Sequence, residues 1–372
     1  MPVSENVTTK EKANKLDAML RVDNYTPEFD PEKEPILRVE HLKQYFKSTK
    51  AVDDVSFTIK KGEVFGLVGE SGCGKTTTGR SIIGLYDITD GDVFFRGKRI
   101  GMGVDAMKRW KKKYAAAKAA GDAKAMAELK KDKEIHSQLM TKIQMIFQDP
   151  VGSLDPRMTV REIIAEGLKI RGSRDKQFID ERVAEVLEKV GLVPEHAERY
   201  PHEFSGGQRQ RIGIARAIIL QPDLIIADEP ISALDVSIQA QVINLMNDLR
   251  DEMGLTIMFI AHDLSGVKYF SDRIGVMYFG KMVELADSDE LFAHPMHPYT
   301  RSLLSAIPLP DPNYEKRRKR ITYVPSLTHD YSKEGPEFKE VVPNHFVLCN
   351  TAECEKYRQE IAEIDAKTKN NG

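Results

Sequence analysis

The chain has 372 residues and a nearly balanced charge, with 55 basic and 57 acidic side chains, so its overall charge does not favour a nucleic-acid partner. Hydrophobic residues make up 41% of the sequence, enough for a sizeable core, and the length predicts one large domain with extensions or two domains. Three cysteines do not make a disulfide framework and are typical of a reducing compartment. Because we find neither a membrane-length apolar run nor a signal-peptide core, we expect a soluble protein that meets a membrane only through a partner.

The first predicted strands follow a charged N-terminal stretch. Residues 1–34 are poor in aromatic side chains and predict a mobile leader. Alternating apolar and polar residues over Ile36–Tyr45 and Val55–Lys60 predict two antiparallel strands joined by a turn. Tyr45 and Phe46 close the first strand. Aromatic residues in strands usually pack in a core, but at a binding site they can stack on a planar ring.

A complete phosphate-binding motif comes next in the chain. An apolar run at residues 64–68 predicts a buried parallel strand, and residues 77–83 predict the first turns of a helix. Between them the sequence matches the pattern G-x-x-x-x-G-K-[ST] in full, with Gly69, Glu70, Ser71, Gly72, Cys73, Gly74, Lys75 and Thr76, followed by Thr77. We call Gly69–Thr76 the phosphate loop. Its glycines let successive backbone N–H groups point at phosphates. Lys75 adds a positive charge toward the terminal phosphates, and the Thr76 hydroxyl is a ligand for Mg²⁺.

A basic, alanine-rich segment interrupts the pattern of strands. Residues 91–100 predict a hairpin, and the insertion that follows, about residues 103–142, contains no proline and many helix-favouring residues. We predict two antiparallel helices, about 105–119 and 123–140, with a break at Gly121-Asp122. Their predicted apolar seam consists of Trp110, Tyr114, Met126, Leu129, Ile135 and Leu139. The basic face of the insertion predicts either a nucleic-acid contact or a solvated surface, and we favour the second.

Downstream of the insertion, one polar side chain and one short motif stand out. Gln148 follows a short predicted strand, where its amide can reach a metal ion or a water. The region from about 150 to 215 is predicted to be helical. Within it, Ser205-Gly206-Gly207-Gln208 places a favourable N-cap, Ser205, before a helix over residues 208–220. The two glycines expose N–H groups at the helix start, so this motif predicts an anion site.

Two buried strands are predicted to end in ionisable side chains. An unbroken apolar run precedes Asp228 and Glu229, and the carboxyl end of a central parallel strand is where open α/β sheets bind ligands. Since neighbouring strand residues point in opposite directions, we expect Asp228 to hold Mg²⁺ through water and Glu229 to orient an attacking water. Asp235 is predicted near the start of the next helix. A second apolar strand ends at His262, where a contact with a γ-phosphate is expected.

The joint pattern resembles the ATP-binding subunit of ABC transporters. The motifs occur in that family's order between about residues 36 and 290: the phosphate loop, Gln148, Ser205 to Gln208, Asp228, Glu229, Asp235 and His262. The tail sequence from His297 to Pro308 is similar to the C-terminal motif of oligopeptide and dipeptide importer ATPases. The phosphate loop and residues 153–160 resemble the second, F-type ATPase of those importers.

The resemblance implies a fold and a function. The expected fold is the α/β P-loop NTPase domain of ABC proteins over residues 35–290, with a RecA-like core, an antiparallel β subdomain and a helical subdomain, followed by a C-terminal extension over 291–372. The implied function is ATP binding and hydrolysis that power import of oligopeptides or dipeptides. The implied partners are a second ATP-binding subunit, two transmembrane permease subunits and an extracellular or periplasmic peptide-binding protein. The implied location is the cytoplasmic face of the cell membrane, and we expect no nucleic-acid partner.

The resemblance also implies roles for single residues. Two subunits would close head to tail, with Asp235 in their interface. The γ-phosphate bound by one phosphate loop would then be contacted from the other subunit by Ser205, Gly206, Gly207 and Gln208. Phe46 is the favoured adenine-stacking ring, with Tyr45 second, and Gln148 would link the nucleotide to the permease. The implied catalytic residues are Lys75, Gln148, Glu229 and His262. The implied ligands of Mg²⁺ are Thr76, Gln148 and, through water, Asp228.

Two departures and two alternative functions accompany the resemblance. The insertion is longer than is usual in the family, and the sequence does not indicate its purpose. Many relatives carry four tail cysteines that can hold iron and sulfur, whereas this tail has Cys349 and Cys354, so we expect no iron–sulfur cluster. Nickel uptake by a related importer ATPase is the nearest alternative function. The alternative from another class is an ABC ATPase acting on nucleic acid, but such proteins usually carry two domains in one chain or a very long coiled coil.

Overall fold

Among the described residues, the strands form two sheets, one antiparallel and one mixed. The computed structural model describes Asp30 and residues 32–133, 135–307 and 320–371, so the predicted leader lies almost entirely outside the described residues. In chain order the strands are β1 (Leu37–Phe46), β2 (Thr49–Ile59), β3 (Val64–Val68), β4 (Asp90–Phe95), β5 (Lys98–Met102), β6 (Ile143–Ile146), β7 (Leu224–Asp228), β8 (Thr256–Ala261), β9 (Arg273–Tyr278), β10 (Lys281–Asp287), β11 (Glu337–Val342) and β12 (His345–Cys349). The α-helices of the described residues are α1 (Lys75–Ile82), α2 (Val104–Ala119), α3 (Ala123–Lys133), α4 (Val160–Ile170), α5 (Lys176–Lys189), α6 (Gly206–Ile218), α7 (Val236–Met253), α8 (Ser288–Ala293), α9 (Pro298–Ala306), α10 (Pro325–Thr328) and α11 (Thr351–Asn371).

The antiparallel sheet has the strand order β2-β1-β4-β5. Strands β1 and β2 form the predicted hairpin, and their alternating burial follows the apolar and polar alternation of the sequence. Phe57 on β2 stacks on Phe65 of β3, with 5.1 Å between the ring centroids. The inner face of this sheet therefore packs on the main sheet beside the strand that leads into the phosphate loop.

The main sheet has the order β11-β12-β10-β9-β3-β8-β7-β6. Strand β3 pairs in parallel with β8 and β9, and β7 pairs in parallel with β6 and β8. Strands β3, β7 and β8 are buried along their whole length, as expected for apolar strands in the middle of a parallel sheet. The carboxyl ends of these three strands meet at one edge, where they deliver the phosphate loop, Asp228 and His262.

The region predicted to be helical at about 150–215 contains α4, α5 and the start of α6. Each helix begins with a side-chain cap, in which an oxygen of Thr159, Asp175 or Ser205 accepts from an N–H of the first turn. Helix α6 begins at Gly206, two residues before the predicted start, because Ser205 is itself the cap. The apolar faces of these helices join the core of the main sheet, through side chains that include Ile164, Leu168, Val183, Val186 and Ile212.

The insertion forms two helices that pack on each other through Trp110. The Trp110 ring stacks on Tyr114 with 5.1 Å between centroids, and its Nε1 donates to the carbonyl oxygen of Leu129 at 2.7 Å. The Lys133 ammonium lies 4.8 Å from the centroid of the same indole ring. Because Trp110 lies near the start of α2 and Lys133 ends α3, the two helices are antiparallel, as predicted.

The second helix of the insertion is shorter than predicted. It ends at Lys133 instead of about residue 140, and a 3₁₀ turn at Ser137–Lys142 leads into β6. The assignment of Leu139 to the seam of the insertion is wrong, since Leu139 is fully buried in the core that the antiparallel sheet shares with the main sheet. The last part of the predicted insertion is therefore part of the domain core.

The C-terminal extension continues the main sheet. Strand β12 pairs antiparallel with β10 at Glu284 and Leu285, and β11 covers the outer edge of β12. Helix α11 packs on these strands and places Tyr357 and Ile361 in a separate core cluster with Val347. Among the helices of the described residues, none is both long and apolar enough to cross a membrane.

Candidate functional site

The phosphate loop connects β3 to α1 and depends on glycine at two points. Gly69 has a φ of 149°, and a Cβ there would lie 2.2 Å from the Met277 carbonyl oxygen. Gly74 has a φ of 109°, and a Cβ there would lie 2.2 Å from the Ala51 carbonyl oxygen. The loop thus lies against the backbones of β9 and β2, where no larger residue fits. Gly74 is also the N-cap of α1 and provides no side-chain cap, so N–H groups of the first turn are left for an anion.

Lys75 is folded back over this loop. Its ammonium group donates to the carbonyl oxygens of Gly69 at 2.7 Å and Glu70 at 3.0 Å, and the residue is 4% exposed. The same Nζ lies 3.8 Å from Oε1 of Glu229. The lysine charge is therefore held between the loop and the end of β7, where it would attract a terminal phosphate.

Thr76 and Asp228 form the part of the site that suits a metal ion. The Thr76 hydroxyl donates to Oδ1 of Asp228 at 2.6 Å. Asp228 is fully buried, its Oδ2 has no hydrogen-bond donor among the described residues, and Nη2 of Arg80 lies 3.6 Å from that oxygen. Burial raises the pKa of this carboxyl, against the Thr76 hydrogen bond and the Arg80 charge, which lower it. Mg²⁺ prefers oxygen ligands. A buried carboxylate oxygen that accepts no hydrogen bond and a neighbouring hydroxyl oxygen are such ligands, so these residues fit the ion.

Glu229 lies directly beyond β7 and is joined to Gln148. Nε2 of Gln148 donates to Oε2 of Glu229 at 2.9 Å. The Glu229 backbone has a φ of 45°, which is uncommon for a residue other than glycine, and its N–H donates to the Ile260 carbonyl at 3.0 Å. Because β7 ends at Asp228, this turn of the backbone, and not strand alternation alone, gives the two carboxylates different partners. Asp228 faces α1, and Glu229 faces the loop after β6.

His262 shares a small cavity with Glu229. It follows β8, its side chain is half exposed, and its Nε2 lies 3.4 Å from Oδ2 of Asp263. The Asp263 carboxylate accepts from the Ser265 hydroxyl and from the Gly266 N–H. All of these residues line the same cavity. The structure thus brings His262 beside the carboxylate that is predicted to handle water.

Ser205 caps α6 and leaves the start of that helix exposed. Its Oγ accepts from the Gln208 N–H at 3.3 Å, and Oε1 of Gln208 accepts from the Ser205 N–H at 3.0 Å. This reciprocal pair fixes the turn. Ser205 and Gly206 are exposed, so their polar groups are accessible to another molecule.

Asp235 lies beside the same helix start. A Cβ on Gly207 would lie 2.7 Å from a methyl carbon of Ile238, so α6 packs tightly on the first turn of α7. Asp235 is the N-cap residue of α7, makes no side-chain cap there and is exposed. The segment from Ser205 to Gln208 and Asp235 therefore belong to one exposed surface, which we call the signature surface.

The two candidate stacking rings differ in availability. The Tyr45 hydroxyl donates to Oδ1 of Asp53, and burial together with this carboxylate raises the pKa of Tyr45 to about 12. Phe46 is 41% exposed and meets Tyr86 edge to face, with 5.2 Å between centroids. Phe46 is thus the more exposed of the two rings, while the Tyr45 hydroxyl is bound to its own sheet.

The two tail cysteines are free thiols in the core of the extension. Cys349 and Cys354 are both buried. Burial raises the pKa of Cys349 to about 12, which keeps it protonated and weakens it as a metal ligand. In the part of the chain that the structure describes, no group of three or more His, Cys, Asp and Glu side chains is placed to hold a metal ion. That the protein has no iron–sulfur cluster stays a prediction.

The motifs did not name two residues that contact the site. Arg80, on α1, lies beside Asp228, and the helical spacing from the phosphate loop is the only sequence signal for it. The Tyr299 hydroxyl accepts from the Glu70 N–H at 3.0 Å, although the two residues are 229 positions apart. The tail motif contains Tyr299, but no spacing rule connects the tail to the phosphate loop.

Comparisons with known proteins identify the family of the chain. The family model described as ABC transporter matches residues 52–232, and the one described as oligopeptide/dipeptide transporter, C-terminal region, matches residues 283–340. The oligopeptide transport ATP-binding protein OppF of Bacillus subtilis is 58% identical over 86% of this chain and 98% of its own length. The dipeptide transport ATP-binding protein DppF of Lactococcus lactis is 50% identical over 84% of this chain and 91% of its own length.

A solved structure has the same fold. The structure of cbiO1 from Clostridium perfringens, part of the ABC transporter complex cbiONQ, superposes with a TM-score of 0.55 and 25% identity over 71% of this chain and 92% of that chain. The predicted fold class and the resemblance stated from the motifs are therefore confirmed. The chain belongs to the ABC transporter family of ATP-binding, ATP-hydrolysing subunits, in the branch that carries the oligopeptide/dipeptide transporter C-terminal region.

Proposed function

We propose that this ATPase powers an importer of oligopeptides or dipeptides at the cytoplasmic face of the cell membrane. It would act with a second ATP-binding subunit on two permease subunits, to which an extracellular or periplasmic binding protein delivers the peptide. The two relatives are named as oligopeptide and dipeptide transport proteins, which supports a peptide cargo over nickel. The observation that carries the chemistry is the placement of the Glu229 carboxylate between Gln148 and Lys75.

Nucleotide binding would use the phosphate loop and one aromatic ring. The first-turn N–H groups of α1 and the Lys75 ammonium would bind the phosphates, and the exposed Phe46 ring would stack on adenine. Thr76, Gln148 and, through water, Asp228 are the residues that would hold Mg²⁺, which neutralises charge on the phosphates when bound. Because Gln148 donates to Glu229 through its nitrogen, its amide oxygen remains free as a ligand.

Hydrolysis would proceed by direct attack of water on the γ-phosphate, without a covalent enzyme intermediate. Glu229 would orient and polarise that water. The hydrogen bond from Gln148 and the turned backbone hold the carboxylate before the substrate arrives, so little reorientation is needed during the reaction. His262, in the same cavity, would contact the γ-phosphate.

Each site would be completed by a second subunit. The signature surface is exposed, and the polar side chains of Ser205 and Gln208 are already held in place by their own capping bonds. Such a preformed donor surface supports the proposal that it meets the γ-phosphate bound by the partner's phosphate loop. Asp235 would lie in the interface between the two subunits.

Capture from native membranes tests the proposed partners and cargo. A tagged chain, solubilised from its own membranes in mild detergent, should bring with it a second ATPase and two permeases. Proteoliposomes that hold this complex, supplied with the binding protein, should take up a radiolabelled tripeptide when ATP is present on the side of the membrane that carries the ATPases. The same complex with Glu229→Gln should not. Uptake of radiolabelled nickel but not of peptide would show that the cargo is nickel. RNA or DNA that co-purifies in the absence of permeases would contradict the transport function.

A further inference from the structure

The C-terminal extension reaches the phosphate loop through one side chain. The Glu70 N–H donates to Oη of Tyr299 at 3.0 Å. Glu70 is the second residue of the phosphate loop, and Tyr299 lies in the first turn of α9, within the extension. None of the roles assigned above uses this bond.

The loop side of the bond involves the same peptide group that holds Lys75. The peptide between Gly69 and Glu70 has one N–H and one C=O. Its N–H donates to Tyr299 at 3.0 Å, and its C=O accepts from the Lys75 ammonium at 2.7 Å. In a trans peptide these two groups point in opposite directions, so fixing the N–H also fixes the direction of the C=O. The Tyr299 hydroxyl therefore sets the orientation of the carbonyl on which Lys75 rests.

The extension side of the bond is rigid. Tyr299 is 2% exposed, and its ring packs on Tyr278 with 4.4 Å between centroids. Its own N–H donates to Nδ1 of His297 at 3.1 Å, and the His297 N–H donates to the buried Glu284 carboxylate on β10 at 3.1 Å. Nε2 of His345, on β12, lies 2.8 Å from the other oxygen of Glu284. The position of the Tyr299 hydroxyl thus depends on β10 and on β12 of the extension as well as on its own helix.

We propose that Tyr299 is a positioning residue of the nucleotide site, through which the C-terminal extension contributes to the affinity for ATP. Tyr299 acts on the phosphates through the Gly69–Glu70 peptide and Lys75. This inference rests on the proposed use of the phosphate loop for ATP. Glu229 accepts a hydrogen bond from Gln148 and its N–H donates to β8, whereas Lys75 lies 3.8 Å from its carboxylate, beyond hydrogen-bond distance. Tyr299 should therefore affect ATP binding much more than the hydrolytic step.

The test replaces the hydroxyl and keeps the ring. Tyr299→Phe should raise the Kd for ATP by about three- to tenfold, the range for losing one neutral hydrogen bond. In the complex with its permeases, the KM for ATP should rise by a similar factor while kcat at saturating ATP stays within about twofold. The matched control is Tyr323→Phe, which removes a hydroxyl from a ring of the same aromatic cluster. The ring centroids of Tyr323 and Tyr299 are 5.8 Å apart, and this control should leave the Kd and the KM for ATP unchanged.

A second variant removes the same bond from the loop side. Glu70→Pro deletes the N–H, at a residue whose φ is not positive. It should weaken ATP binding as well, and adding Tyr299→Phe to it should cause no further loss, since the bond is already absent. Full additivity of the two changes, an unchanged Kd in Tyr299→Phe, or an equal loss in Tyr323→Phe would overturn the proposal. A fall in kcat at unchanged KM would overturn it too. If the wild-type chain itself fails to bind ATP, the assignment of the phosphate loop fails instead.

Discussion

Gln148 donates from Nε2 to Oε2 of Glu229 across 2.9 Å, and this bond joins the loop after β6 to the end of β7. Through its other oxygen the same carboxylate lies 3.8 Å from the Lys75 ammonium. One carboxylate is therefore held between the lysine of the phosphate loop and the amide that is predicted to face the permease. Movement of the loop that carries Gln148 would displace this carboxylate, so the proposed permease contact and the proposed handling of water by Glu229 would be coupled through one hydrogen bond.

The first prediction concerns that carboxylate. Glu229→Gln should keep ATP binding but lower hydrolysis by about a hundredfold or more, the range for losing a general base. Steady-state turnover in the assembled transporter, together with a binding titration, measures both effects. Glu363→Gln, at an exposed position on α11, is the matched control and should behave as wild type. A Glu229→Gln transporter that retains most of its turnover would refute the role.

The second prediction separates two neighbours in the phosphate loop. Lys75→Ala removes the charge held over the loop and should weaken ATP binding with or without Mg²⁺. Thr76→Ala removes the hydroxyl that donates to Asp228, so it should mainly shift the Mg²⁺ concentration needed for binding. Titrations with ATP in excess Mg²⁺ and in a chelator distinguish the two. Identical behaviour of both variants would show that the roles are not divided in this way.

The third prediction concerns the shared site. In the single chain the signature surface is exposed and contacts no second subunit. Because each site is proposed to be completed by the signature surface of another subunit, the isolated protein should be a weak ATPase. Addition of the partner ATPase and the permeases should raise the rate, and Ser205→Ala in this chain should reduce that increase. Turnover is measured alongside light scattering to fix the state of assembly. Full activity in a dilute monomer would exclude a site completed by a second subunit.

The fourth prediction uses two deletions in the insertion. Replacing residues 106–133 by a short Gly-Ser linker removes nearly all of both helices. Because the two helices meet at Trp110 and Lys133, on the side where the insertion joins the domain, a short linker can close the gap and should leave a folded subunit that binds ATP. Replacing residues 106–140 also removes Leu139, which is fully buried, and should cost about 3 kcal/mol more in unfolding free energy. Thermal melting of the two proteins compares them. Equal stability would mean that Leu139 does not contribute to the core.

The fifth prediction concerns a buried histidine of the extension. Burial lowers the pKa of His345, but its hydrogen bonds to Glu284 and Glu290 outweigh this effect, so its pKa is raised above the ordinary 6.5. The protonated form therefore stabilises the fold fully below about pH 6.5, and this contribution is lost as the pH rises through the raised value.

The measurement is the melting temperature as a function of pH. The melting temperature should fall as the pH rises above about 6.5, and His345→Gln should flatten that dependence. His202→Gln, at an exposed position, serves as the control and should keep the wild-type slope. A wild-type slope in His345→Gln would show that another group titrates.

The motifs predicted the parts of the site that depend on local sequence. The phosphate loop, the cap at Ser205 and the strand that ends at Asp228 each combine a backbone requirement with a chemical one inside a few residues, so one short segment specifies each of them. The parallel sheet then brings them to one edge. This is why residues far apart in the chain could be placed together without coordinates.

Contacts between distant segments could not be predicted in this way. Leu139 has helix-favouring neighbours, and its place in the core follows only from how the 3₁₀ turn meets the antiparallel sheet. The bond between Glu70 and Tyr299 depends on α9 lying over the phosphate loop, which no periodicity encodes. The left-handed backbone of Glu229 likewise results from its position between two strands, since glutamate has no preference for that conformation.

The pairing of β12 with β10 has a mechanical consequence. Backbone hydrogen bonds run without interruption from β3 through β9 and β10 into the extension, so the extension cannot swing on a hinge while the nucleotide site stays still. The long last helix, α11, should therefore move together with the ATP-binding part of the chain. A fluorescent probe at the exposed Glu363 would thus report rotations of that whole part, and distance changes between probes on two subunits would follow each cycle of closure and opening.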